Sequence, residues 1–551
     1  MVKKTGFATG GMTMIRIAQI KAESARDIPD ALCAKLKLPR KDLLSWSIHR
    51  KSVDARGQRV TCSWIVDANV KNEKKYLRYR DVKPTPDERF VFEPKGTHPL
   101  ENRPVVAGFG PAGMFAGLLL ARYGYKPLIL ERGSQIDKRK EKVDRFWKEG
   151  VLDPESNVQF GMGGAGAFSD GKLTTRSKDL KNRKVYEELV HFGANEEILI
   201  DQHPHIGTDG FVPILKNMKR EMEELGAKFL FDTKLEGIET EEGRLKAITI
   251  QQDGKSETIP CQAMIVSIGH SALDTVKILN SQGVVMEPKP FAIGVRIEHP
   301  QTLINQAMLK DQAENPKLIP ARYQLSHTAA NGRGVYSFCM CPGGYVIPSS
   351  SDEGTVVVNG MSYAARAGKN ANAALLVQVK EGDFGPDLFD GARFASNIEK
   401  KAYELSGSYK SPVQRTRDYL TDTISSDADI EAAHPTYALG AISADLNELF
   451  PKEINDALKE GITAFEKRIP GFVEQGVMSG VETRSSSTIR MNRDENGLSS
   501  IQGLYPAGEG AGYAGGIMTS AVDGLKAAMH VMDYYEKPSQ TEGKEEGPDG
   551  K

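Results

Sequence analysis

Cysteine is scarce in this chain. Five residues (Cys33, Cys62, Cys261, Cys339 and Cys341) in 551 cannot make the disulfide framework of a small secreted protein. No Cys-x-x-Cys pair occurs, so disulfide-reductase chemistry of the usual kind has no support. Excess charge is absent too. The formal net charge of -1 gives no global field that would gather nucleic acid or a membrane surface. No apolar run approaches the roughly 20 residues needed to span a bilayer, the longest candidate being residues 114–121. The first residues, MVKKTGFATGGMTMIR, lack the apolar core and cleavage signal of a secretory peptide, so the expected compartment is the cytoplasm. What is present is a 39% hydrophobic, 26% charged composition, which reads as soluble and globular. At about 100–200 residues per domain the length suggests three domains.

The most informative stretch is residues 104–132, PVVAGFGPAGMFAGLLLARYGYKPLILER. An apolar strand runs into Gly108-Phe109-Gly110-Pro111-Ala112-Gly113, an apolar helix follows, and a second strand ends on Glu131 and Arg132. This is a dinucleotide-binding fingerprint in its required strand, turn, helix and strand context. Gly108 permits the tight turn, Gly110 lets backbone approach a pyrophosphate, and Gly113 lets the helix pack closely on the strand. The helix start, Pro111 and Ala112, offers unpaired N–H groups to the phosphates. Glu131 stands where an acid accepts hydrogen bonds from the ribose hydroxyls.

Ahead of this unit, residues 1–13 read as a disordered leader, and a small α+β unit begins at Met14. Alternating apolar residues at Leu44, Trp46 and Ile48, and again at Val60, Cys62, Trp64 and Val66, read as half-buried strands. Between them lies a basic patch of His49, Arg50, Lys51, Arg56 and Arg59. Prolines 84, 86, 94, 99 and 104 then mark residues 71–103 as a linker. Beyond the fingerprint, the glycine-rich run through Gly161, Gly163, Gly164, Gly166 and Gly171 to Lys172 and Leu173 lets backbone approach a flat or anionic group. Pro213 suits the first turn of a helix over residues 214–225. Strands with turns at Glu242-Gly243 and Asp253-Gly254, then an apolar strand ending at Gly269, are the usual return of a flavin domain. Residues 286–475 carry no second glycine fingerprint. They read as alternating strands (291–297, 356–358) and helices (372–379, 454–468), with Cys339 and Cys341 as buried structural cysteines rather than metal ligands. The chain returns at Gly508-Glu509, on the ribityl and phosphate side, and at Gly515-Gly516-Ile517. That glycine pair starts a helix whose N–H groups can face the flavin O2/N1 edge and favour negative charge there. Residues 536–551 read as a polar disordered tail.

The motifs GFGPAG with LER, GGAGAFSDGKL, FAIGVRIEHP, SFCMCPGG, GVETRSSS and GLYPAGEGAGYAGGIMTSAVDG together resemble the predicted bacterial FAD-dependent, or NAD(FAD)-utilizing, dehydrogenases. The resemblance covers about residues 100–530, and the N-terminal unit also looks like the one this family carries. It implies FAD and a glutathione-reductase-like flavin domain, and it implies no substrate; no histidine, cysteine or tyrosine is clearly placed for a flavin linkage, so the FAD is expected to be non-covalent. The aspartate common in the second flavin motif of that wider group is Glu509 here.

These readings give an α/β chain. A three-layer Rossmann-like FAD-binding domain with a β-meander (99–285 with 476–535) is interrupted by an α+β substrate-type domain (286–475). It is preceded by a small α+β domain and linker (14–98) and followed by the tail (536–551). The expected function is oxidoreductase chemistry, with hydride passing between flavin N5 and an organic substrate or a transient NAD(P)H. The absence of a second fingerprint argues against a resident nicotinamide. The alternative is an RNA-modifying flavoprotein using the basic N-terminal patch, against which the near-zero net charge counts. A flavin-bound interaction protein without turnover is a third class. Arg296, Glu482 and Arg484 are the substrate-side candidates, since paired arginines hold a carboxylate or phosphate. Each reads more readily as part of a structural ion pair. No metal is expected, and the sequence leaves the oligomeric state open.

Overall fold

A computed structural model describes residues 14–54, 60–175, 177–316 and 318–538. The leader 1–13, Arg56, Arg59 and residues 539–551 of the tail lie outside the described residues. At the centre is a five-stranded parallel sheet in the order Leu504–Pro506, Met264–Val266, Val105–Ala107, Leu128–Leu130, Lys228–Leu230. Val105, Met264 and Leu128 lie side by side in register. Each strand contributes only three residues, so the carboxyl ends of all five converge on one edge, where ligands of open α/β sheets bind.

The fingerprint helix Pro111–Arg122 is buried at ten of its twelve positions, because the sheet covers one side and the helices Thr208–Glu224 and Ile517–Tyr534 cover the rest. The close approach of Ile517–Tyr534 depends on Gly524, where a Cβ would collide with the Ala112 carbonyl. Pro213 lies inside Thr208–Glu224, in its second turn rather than its first. The three-stranded antiparallel meander Thr233–Glu241, Arg244–Gln252, Lys255–Pro260 packs over the other face of the sheet.

Residues 292–482 build a seven-stranded sheet in the order Ser326–Thr328, Gly334–Cys341, Asn370–Gln378, Ala292–Pro300, Val477–Glu482, Ser411–Arg415, Ala441–Ser443. The expected helix over 372–379 is a strand. Asn370–Gln378 (NANAALLVQ) is buried at every position but the last, between Gly334–Cys341 and Ala292–Pro300. Burial on both faces removes the alternation that marks a strand in sequence, and alanine and leucine then imitate a helix.

The N-terminal unit is a four-stranded antiparallel sheet, Leu43–Asp54, Thr61–Val70, Ile15–Ala22, Val82–Pro84, with helix Ile28–Leu36 packed on it. The linker expected over 71–103 is therefore corrected at both ends. Its first part supplies the edge strand Val82–Pro84. The remainder is an extended strap, held open by its prolines and docked on the flavin-type domain. Phe92 packs edge-on against Tyr123, whose hydroxyl donates to the Phe92 carbonyl at 2.7 Å. Gly96 N–H donates to Met532 O at 3.0 Å, and His98 stacks on Tyr534.

Candidate active site

The glycine turn is built by the strand that precedes it and the acid that faces it. Gly108 takes a φ of 96°, open to glycine and rarely to other residues. Its N–H donates to Leu130 O at 2.7 Å, which ties the turn to the neighbouring strand. The Glu131 carboxylate, almost fully buried, accepts three backbone N–H groups: Phe109 at 2.8 Å and Gly133 and Gly161 at 2.9 Å. A carboxylate has about four acceptor sites, so three are used, Phe109 and Gly161 tying the fingerprint turn to the glycine-rich loop, and one stays open toward the cavity. Arg132 lies over Phe160 and is paired with Glu155 and Asp274.

The glycine-rich loop is held by a side chain that sequence reasoning missed. Arg139 is fully buried and donates to the carbonyls of Asn157, Val158, Gly161, Met162 and Gly164 at 2.8–3.2 Å. Burial pulls its pKa down to about 10. The five acceptors lie 18–25 residues away, in a loop without periodicity, so no sequence pattern marks the partnership. The second glycine turn is fixed in a comparable way. Asp523 accepts the Gly508 N–H at 2.7 Å and pairs with Arg493 at 2.7 Å.

These elements surround one cavity of about 1580 Å³. Of the residues expected at a cofactor, Gly108, Gly110, Pro111, Ala112, Glu131, Arg132, Gly164, Lys172, Gly269, Gly508, Glu509, Gly515, Gly516 and Ile517 line it. Gly113 does not. A Cβ there would collide with Gly108 O, so its role is helix-on-strand packing. Gly163 also turns away, toward Leu215. Lys172 donates from Nζ to Met340 O. A dinucleotide fits this cavity by a simple criterion. Added Cβ atoms at Gly269, Gly515 and Gly516 would meet nothing within 4 Å, and one at Gly110 would meet only Gly164 Cα at 3.7 Å. Gly269 and Gly516 are also called for by their φ of 74° and 96°, whereas Gly110 and Gly515 meet neither strain nor clash and so serve to keep the space clear of side chains.

Glu509 opens on this space yet lies deep. Burial pushes its carboxyl up from 4.5 to about 7, with Lys289 and the Gly516 N–H pulling the other way. His270, 4.0 Å away, is held neutral: burial, then the charge of Arg484, depress it to about 4.

On the opposite wall the three substrate-side candidates separate. Glu482 and Arg484 line the cavity, whereas Arg296 is fully buried behind it. Arg296 donates to Glu482 at 2.6 Å, Asn372 at 2.8 Å and the Cys339 carbonyl at 2.6 Å. Burial opposes its charge, but Glu482 more than offsets that and holds it above the ordinary arginine range. Arg484 is paired with Glu399 at 2.7 Å and Asp352 at 2.5 Å. Both arginines are thus committed to protein carboxylates. The paired buried cysteines expected here are half right. Cys341 is buried, its Sγ 3.6 Å from Arg296 Nη2. Cys339 is exposed to the cavity, on a bulge where the register between Gly334–Cys341 and Asn370–Gln378 slips. Its thiol still lies deep enough for burial to push it up to about 12, so it is protonated at neutral pH. The N-terminal unit adds His49 and Arg50 to the rim and the strap adds Glu88; the unit is joined to the rest by Lys51 N–H to Ile200 O and Gln202 N–H to Lys51 O.

A parallel sheet with the fingerprint at its central strand, an acid at the tip of the next strand and a glycine-cleared cavity at its carboxyl edge defines a Rossmann-like FAD-binding fold. Residues 290–485 match a family profile described as "FAD-dependent protein, C-terminal domain-like", and residues 13–69 match a domain of unknown function. The chain is 45% identical over 517 residues to an uncharacterized protein of Clostridium beijerinckii, covering 92% of this chain and 96% of that one. It belongs to this family of FAD-dependent proteins. Solved structures that are similar at low level include glycine oxidase from Geobacillus kaustophilus, 13% identical, covering 81% of this chain and 98% of that one, TM-score 0.34. Another is glycerol-3-phosphate dehydrogenase from Bacillus halodurans complexed with FAD, 11% identical, covering 80% of this chain and 66% of that one, TM-score 0.34. No helix among the described residues is long and apolar enough to cross a membrane.

Proposed function

We propose that this protein is an FAD-dependent oxidoreductase of the glutathione-reductase-like kind, acting on a small organic substrate, with NAD(P)H as a transient partner at most. The observation that carries this reading is the continuity of one cavity from the fingerprint glycines to the wall formed by strand Gly334–Cys341, Glu482 and Arg484. Bound FAD would supply hydride transfer at N5. The chain's own residues do the rest. The N–H groups at the N-terminus of Pro111–Arg122 would donate to the pyrophosphate, and Glu131 would accept from a ribose hydroxyl. The unpaired N–H groups at the N-terminus of Ile517–Tyr534 would favour negative charge on a reduced flavin held there. Glu509, with a carboxyl near neutrality, can hold or release a proton inside the cavity at working pH. Strand Gly334–Cys341 of the seven-stranded sheet, with Glu482, walls the side on which a substrate would lie. Anaerobic addition of NADH, NADPH and a metabolite panel to the yellow protein tests this. Bleaching of the flavin absorbance by a donor, with return on adding an acceptor, is the expected result. A flavin that dithionite bleaches but no donor of the panel reduces would leave a binding protein instead.

A further inference from the structure

Among the described residues, most arginines in and behind this cavity have a carboxylate or carbonyl partner, and Arg322 does not. Arg139 has five carbonyls, Arg296 and Arg484 have carboxylates, and Arg366 is paired with Asp170 at 2.5 Å. Arg322 lines the cavity half-buried, and among the described residues it has no hydrogen bond, ion pair or ring partner. Burial and then the charge of Arg366 press its pKa downward. A guanidinium partly removed from water and left unpaired is costly.

Its surroundings hold two carboxylates, Asp170 and Asp201, neither within ion-pair distance of it. Asp170 is spent on Arg366. Asp201 accepts the His203 N–H at 3.0 Å. His203 and His205 line or border the same space, both depressed by burial and then by Arg322 and Arg366 respectively. Lys178 and Arg50, also without partners among the described residues, stand exposed at the rim.

This cluster is not the pyrophosphate site. The charged groups around the fingerprint are Glu131, Arg132 and Asp274, whereas those around Arg322 are Arg366, Asp170 and Asp201. We propose that Arg322 anchors a second anionic group, the carboxylate or phosphate of the molecule that reacts in this cavity, with Lys178 and Arg50 drawing it in from the rim. The planar fork matches two oxygens of either anion. The inference rests on the oxidoreductase reading for the word "reacts", and on geometry alone for the anion.

Calorimetric titration of the purified holoprotein at low salt, with inorganic phosphate in one arm and succinate in the other, tests it. Saturable binding of one anion is expected. Arg322→Gln should weaken it at least tenfold and Arg322→Lys by an intermediate factor. Arg145→Gln, at an exposed helix pair with Glu149, should leave it unchanged. The arm that binds identifies phosphate or carboxylate. If Arg322→Gln does not fold, Arg322→Lys against wild type decides the same point. No saturable binding of either anion to wild type, or equal binding by wild type and the Arg322 variants, overturns the proposal. The visible absorbance of the same samples reports flavin content separately, so a colourless preparation counts against the oxidoreductase reading and not against the anion site.

Discussion

Two glycines of one motif should fail in different ways. Gly110 has an ordinary extended-type φ of -78°, and its would-be Cβ faces the cavity. Gly110→Ala should therefore fold like wild type and lose FAD affinity, and Gly110→Val should abolish binding. Gly113→Ala drives a methyl into Gly108 O, so stability itself should fall by about 1–3 kcal/mol. Apoprotein melting and FAD titration on the same samples separate the two outcomes, and equal melting of both alanine variants would show the distinction to be wrong. Glu509 makes a pH prediction. Its folded pKa is raised from 4.5 to about 7. The protonated acid costs nothing at low pH, while above the folded value the buried charge is paid in stability. Apoprotein stability should accordingly decline as pH rises from about 4.5 through 7, and Glu509→Gln should flatten that decline by at most about 3 kcal/mol. Parallel pH–melting curves for variant and wild type would refute this.

The helix Ile517–Tyr534 carries the prediction at the scale of elements. Gly516 caps it at a φ of 96° with open space where a Cβ would be, and Gly515 shares that open space without a positive φ. Gly515→Val should leave apoprotein melting unchanged and weaken FAD. Gly516→Val adds backbone strain of about 1–2 kcal/mol and should lower the midpoint potential of the flavin that remains. A helix-end interaction of about 0.3–2 kcal/mol corresponds to a shift on the order of tens of millivolts for two electrons. Normal affinity with an unchanged potential would make Gly516 a packing residue only. Elements were legible in the sequence where their determinants are local. The fingerprint, the meander turns at Gly243 and Gly254 and the return at Gly508 are short patterns with one conformational solution each. Strand Asn370–Gln378 was not, because burial on both faces erased its period. Nor were the tie from Arg139 to a distant loop and the opening of Cys339 onto the cavity, since both depend on which segments meet in space.

At the scale of the whole molecule, the strap over residues 85–104 changes what truncation does. Phe90, Phe92 and Leu100 pack on the main core, and Gly96 and His98 are tied to the end of Ile517–Tyr534. Deleting residues 1–88 should spare the flavin, because the N-terminal unit touches the cavity only at its rim. Deleting residues 1–103 strips the strap from Tyr123 and Tyr534 and should lower the melting temperature below that of the 1–88 deletion. Limited proteolysis should spare residues 90–104, and a first cut there would show the strap to be loose. The central claim, that the glycine-cleared cavity is the FAD site, is tested most directly by titrating FAD into deflavinated protein while following the visible spectrum. The account predicts saturation at one FAD per chain with a perturbed flavin band, abolished by Gly110→Val in a protein that still melts cooperatively. Failure of the wild type to take up FAD, or undiminished uptake by Gly110→Val, would contradict it.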